Sequence, residues 1–61
     1  MSEDINEAWL RGYTDGYKSV TGRIPSIPPR PGSIPAGVAD PVEYFYQQGY
    51  KLGKQNGEYS K

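Results

Sequence analysis

Two glycines four residues apart, Gly12 and Gly16 in "GYTDGYK" (12–18), interrupt a segment that otherwise has the pattern of an amphipathic helix, and "GYKLGKQ" (49–55) repeats the arrangement with Gly49 and Gly53. Each mid-helix glycine costs about 1 kcal/mol relative to alanine. A chain that keeps four of them must gain a contact that a side chain would prevent. Ile5, Ala8, Trp9, Gly12, Tyr13, Gly16, Tyr17 and Val20 follow one another at helical steps, an unbroken stripe. Asn6, Glu7, Arg11, Thr14, Asp15, Lys18 and Ser19 form the polar face, and Leu10 is the exception. Because the glycines lie on the stripe, they predict a shallow groove that the backbone of a second helix can approach.

The helix boundaries are written in the caps. Asp4 followed by Glu7 has capping-box spacing, and Gly22 is a natural stop, which predicts a first helix from about 4 to 20. Asp40 as N-cap, Pro41 at the first helical position and Glu43 at the third predict a second helix from 41 to about 55, with Gly57 as its stop. Its stripe is Val42, Phe45, Tyr46, Gly49, Leu52 and Gly53, widened by Tyr44 and Tyr50. Between them "RIPSIPPRPGSIPAGVA" (23–39) repeats Ile-Pro three times. Proline at that density excludes helix and central strand and favours an extended polyproline-type strap. Ile24, Ile27, Ile34 and Val38 give it apolar groups with which to pack over the aromatic faces. The expected fold is therefore all-α and a single small domain: two antiparallel helices packed at Gly12, Gly16, Gly49 and Gly53, joined by an extended proline-rich strap.

A chain of 61 residues buries too little surface for its core alone to contribute more than a few kcal/mol. With neither Cys nor His, disulfides and most metal sites are excluded as supplements, so a partner surface is expected, most simply a homodimer. Seven acids balance seven bases, so no overall field draws the chain to DNA or an anionic membrane. No basic segment precedes an apolar run, and no window has the apolar length of a membrane span, which predicts a cytoplasmic protein without a membrane partner.

The same missing residues argue against catalysis. The usual general base, thiolate nucleophile and metal-ligand sets need His or Cys, while the acids here fall at helix starts and on polar faces. Neither cofactor nor metal is implied. Pro25, Pro28 and Arg30 have the Pro-x-x-Pro-x-Arg spacing of one orientation of SH3 ligand, a pattern that a stiff strap also explains. Eight aromatic residues exceed what two short helices bury between themselves. The expected working face is therefore Trp9, Tyr13, Tyr17, Tyr46 and Tyr50, with Arg23 and Arg30 beside it for an acidic partner or a phosphate.

"RGYTDGYKSVTG" (11–22) and "YQQGYKLG" (46–53), separated by a proline-containing loop, resemble ribosome modulation factor and its small phage and plasmid relatives. Arg11, Gly12, Tyr13 and Gly16 match that family's Arg-Gly-Tyr-x-x-Gly, and Tyr46, Gly49 and Tyr50 match its aromatic-x-x-Gly-aromatic. The resemblance implies a helix-pair fold and a ribosome-bound factor contacting ribosomal RNA. That family is strongly basic, whereas this chain is neutral with an acidic first helix. Small cysteine-free aromatic-rich chains also resemble phage proteins that inhibit a host by occupying a target. Three readings follow. The first is a non-catalytic interaction protein, of the phage inhibitor type, that binds a host protein or ribonucleoprotein. The second is a homo-oligomeric sponge that holds a nucleotide-like ligand between Trp9, Tyr13, Tyr17 and Tyr50, with Arg23 or Arg30 on its phosphates. The third is a ribosome-binding factor.

Overall fold

The computed structural model describes residues 4–60. Among them are two helices, α1 (Ile5–Thr21) and α2 (Pro41–Ser60), and no strand. Asp4, Asp40 and Gly22 act as caps, as the sequence predicts. Asp4 has extended backbone and its side chain accepts the Glu7 N–H at 2.9 Å, while Asp40 accepts the Glu43 N–H at 3.3 Å. Gly22 takes the left-handed conformation, φ 72°, and its N–H closes on the Lys18 carbonyl at 2.9 Å.

Glycine is the seam between the helices. A Cβ built on Gly12 would lie 2.1 Å from the Tyr46 carbonyl oxygen, and one on Gly16 would lie 2.2 Å from that of Tyr50. From the other side, a Cβ on Gly49 would meet the Trp9 oxygen at 2.6 Å and one on Gly53 the Tyr13 oxygen at 2.2 Å. All four obstacles are backbone, which cannot rotate away. The helices thus touch main chain to main chain, a proximity that any side chain at these positions would forbid.

The order of these contacts corrects the expected direction of α2. Residues 12, 16 and 20 of α1 meet residues 46, 50 and 57 of α2 in ascending order, so the helices run parallel, not antiparallel. The strap makes this possible. α1 rises about 25 Å at 1.5 Å per residue, a span that roughly eight extended residues cover, and residues 22–40 exceed that comfortably. Parallel helices bring two positive N-terminal ends together; Asp4 and Asp40 as caps and Glu7 and Glu43 in the first turns place negative charge there.

Gly57 is likewise not a stop. α2 continues through it to Ser60, because Gly57 is a further buried seam position, packed on Tyr17, Val20 and Thr21. The apolar core sits toward the N-terminal end: Ala8, Trp9, Tyr13 and Phe45 are buried, with Ile5, Ile27, Val42 and Leu52 packed against them. Ile27 is the strap's contribution. No helix among the described residues is long and apolar enough to cross a membrane.

Candidate functional site

The glycine seam divides the aromatic residues into two flanks. Trp9, Tyr13 and Tyr17 stand one turn apart on α1, a ladder with ring centroids 6.1 Å and then 6.4 Å apart. It faces α2 through Leu52 and Asn56, whose amide donates to the Tyr13 hydroxyl at 2.6 Å. Trp9 and Tyr13 are each only 3% exposed. These two residues are covered in the folded chain, and a ligand cannot stack between them without unfolding the pair.

Tyr46 and Tyr50 lie on the other flank, ring centroids 6.3 Å apart, half-buried. Arg11 and Asp15 meet them from α1. The Tyr46 hydroxyl donates to Asp15 Oδ2 at 2.7 Å, and the Arg11 guanidinium carbon stands 5.7 Å from the Tyr46 ring centroid. The hydrogen bond to Asp15, then partial burial and the Asp15 charge, raise the Tyr46 hydroxyl above the ordinary tyrosine pKa, while Arg11 opposes the shift. Outside this pair runs an open groove of about 330 Å³ lined by Tyr46, Gln47, Tyr50 and Lys51. Lys54 follows Tyr50 by one helical turn.

The arginines are separated too. Arg23 is exposed just past the end of α1, beside Tyr17, Val20, Thr21 and Ser60. Arg30 is at the opposite end of the molecule, its guanidinium carbon 5.1 Å from the Phe45 ring centroid and its Nε donating to Asn6 Oδ1 at 2.7 Å. The single face expected from Trp9, Tyr13, Tyr17, Tyr46, Tyr50, Arg23 and Arg30 is therefore not assembled. Tyr46 and Tyr50 come together; Tyr17 and Arg23 form a second, smaller group; Trp9, Tyr13 and Arg30 serve the fold. Sequence reasoning placed Arg11 and Asp15 on a polar, solvent-facing side and missed their role. The usable signal was positional: Tyr50 follows the seam residue Gly49 by one and Tyr46 lies one turn before Tyr50, so both overhang the side of α1 on which Arg11 and Asp15 lie.

Four carboxylates are spent on structure: Asp4 and Asp40 as caps, Asp15 on Tyr46, and Glu43 accepting the Gln47 amide at 3.0 Å. No cluster among the described residues could hold a metal ion. No family model, curated protein or solved structure matches the chain.

Proposed function

We propose that this is a non-catalytic interaction protein that grips the surface of a partner protein through the Tyr46–Tyr50 flank. One observation carries the reading: by packing through glycine, the helices leave tyrosines that would ordinarily fill a helix interface half-buried on the outside. Tyrosine and arginine are among the side chains that supply most energy at protein interfaces, and Tyr46, held by Asp15, flanked by Arg11 and with the Tyr50 ring beside it, is already ordered before binding. Arg11, Lys51 and Lys54 outnumber Asp15 and Glu43 around the groove, so the complementary partner surface is acidic. A phage-type inhibitor of a host protein fits this chemistry.

A photo-crosslinking residue placed at Gln47 tests it against one at Glu58. The expected result in cells is a discrete protein adduct from position 47 that Tyr50→Ala and Lys51→Glu each suppress. An adduct to ribosomal RNA would favour a ribosome-bound factor instead, and a nucleotide-like molecule released from the purified, denatured protein would favour the sponge. Adducts from position 58 alone would place the working surface elsewhere.

A further inference from the structure

The strap is fastened to the helices around Pro28, and that place has the chemistry of peptide recognition. The Trp9 indole N–H donates to the Pro28 carbonyl at 3.0 Å. Ile27 packs on the core, and Arg30 lies over the Phe45 ring while bonding Asn6 and, through an Nη–H, the Pro31 carbonyl at 3.0 Å. Within four residues, Ile-Pro-Pro-Arg thus engages an aromatic wall, an indole donor and a side-chain amide. Extended proline-rich chains have no internal hydrogen bonds, so their carbonyls are open to such a donor, and aromatic grooves are the usual receptors for them. On either side of this point the strap is loose: Ile24 is 80% exposed and residues 31–37 are all exposed.

The strap also fills only part of the groove it crosses. Trp9 borders a cavity of about 420 Å³ on one side of it, shared with Asn6, Leu10 and the strap itself. On the other side Trp9 borders a second cavity, of about 240 Å³, with Pro31, Tyr44, Gln48 and Leu52. A ligand confined to the middle of a longer groove leaves room for a better one.

We propose that the groove over Trp9 is a polyproline receptor, occupied in the free protein by the chain's own Ile27–Arg30 and opened to a proline-rich, arginine-bearing segment of another protein. The Pro25, Pro28 and Arg30 pattern is then not a motif offered to an SH3 domain; Pro28 and Arg30 are already bound within the chain. This site is separate from the Tyr46–Tyr50 flank and goes beyond it. The tethered strap has a high effective concentration, which suppresses binding in trans until the tether's grip is weakened.

The test is a fluorescein-labelled peptide with the sequence of residues 23–32, titrated with the full chain and with its Arg30→Ala variant while the emission of the single tryptophan is followed. The expected result is weak binding to the parent chain and binding at least about tenfold tighter to the variant, with a shift in Trp9 emission. A peptide with alanine for Pro28 and Pro29 is expected not to bind. Asn6→Ala, which loosens the same fastening, repeats the test should Arg30→Ala lose its helical circular dichroism. Equal binding to parent and loosened chains, or equal binding of the alanine peptide, would overturn the proposal. So would concentration-dependent dimerisation of the loosened chain without peptide binding, since the occupant would then be the strap of a second copy.

Discussion

The seam and the strap hold this molecule in opposite ways. Along the seam, backbone meets backbone at Gly12, Gly16, Gly49 and Gly53, and no atom can be added without parting the helices. Along the strap, a Cβ on Gly32 or Gly37 would touch nothing within 4 Å, and the main attachments are the Ile27 packing, the Trp9 bond to Pro28 and the clamp of Arg30. The difference teaches where a very small protein can tolerate change. Five helical glycines cost about 5 kcal/mol in helix propensity, and only continuous close contact between the helices offsets that. The strap's prolines, by contrast, limit the entropy lost when it is ordered, so few contacts suffice.

The largest test of this contrast is Gly12→Ala or Gly53→Ala. The added methyl would stand within van der Waals distance of a carbonyl that has no rotamer to change, and a loss of 3 kcal/mol or more, on the order of the whole stability of such a chain, is expected in a thermal melt. An unchanged melting temperature would remove the seam from the account. Trp9→Phe comes next. It keeps the aromatic body but leaves the Pro28 carbonyl without its donor, an expected loss of about 1–3 kcal/mol, with faster amide exchange in strap residues 26–30 than elsewhere.

Gly32→Ala should act in the opposite direction. With open space around it and no left-handed φ, alanine there reduces unfolded-chain freedom, an expected gain of about 0.4–1 kcal/mol. Gly57→Ala sharpens the boundary between the regions. Its Cβ would sit 3.2 Å from the Val20 Cβ, which no rotamer change moves, so the helices must part by a few tenths of an ångström; that cost largely cancels the helix-propensity gain of about 1 kcal/mol, and a near-zero net change is expected.

The smallest effect is a titration. The folded-state pKa of Tyr46 is raised above the ordinary tyrosine value of 10.0, chiefly by its bond to Asp15. Its contribution to stability is therefore fully present below the unfolded-state pKa and is lost as pH rises through the higher folded-state value. Alkaline difference absorbance should show a late-titrating contribution that is missing in Tyr46→Phe. An unchanged titration curve in that variant would remove the Asp15 bond from the binding flank.

Much of the fold was legible because its signals are local. Asp4, Gly22, Asp40 and Pro41 are where their capping chemistry requires, and the position of the glycines on the apolar stripes announced a close helix contact. Direction was not legible, because a stripe has no polarity: Gly12 and Gly16 fit α2 in either sense, and only the reach of the strap permits the parallel one. Gly57 misled for a related reason, since a glycine after an apolar run signals a stop unless the partner helix extends far enough to pack on it. The candidate site was legible only in part. Tyr46 and Tyr50 were named from their excess over the core, but Trp9 and Tyr13 look identical in sequence and are buried. The split depends on which side of the seam each ring overhangs, and the parallel register then decides what it meets there. Arg30 looked like a free charge on a stiff segment because its partners, Asn6 and Phe45, are distant in sequence.

The parallel register underlies the split flanks, the course of the strap and the position of Arg30, and the absence of native cysteine makes it directly measurable with paired spin labels. Lys18→Cys with Glu58→Cys places labels near the shared C-terminal end; Glu7→Cys with Glu58→Cys places them at opposite ends. Pulsed dipolar spectroscopy should find the second pair farther apart, by about 10–16 Å, since positions 7 and 18 are separated by 1.5 Å of rise per residue along α1. A shorter distance between positions 7 and 58 than between 18 and 58 would mean the helices run antiparallel, and the arrangement of both flanks would have to be abandoned.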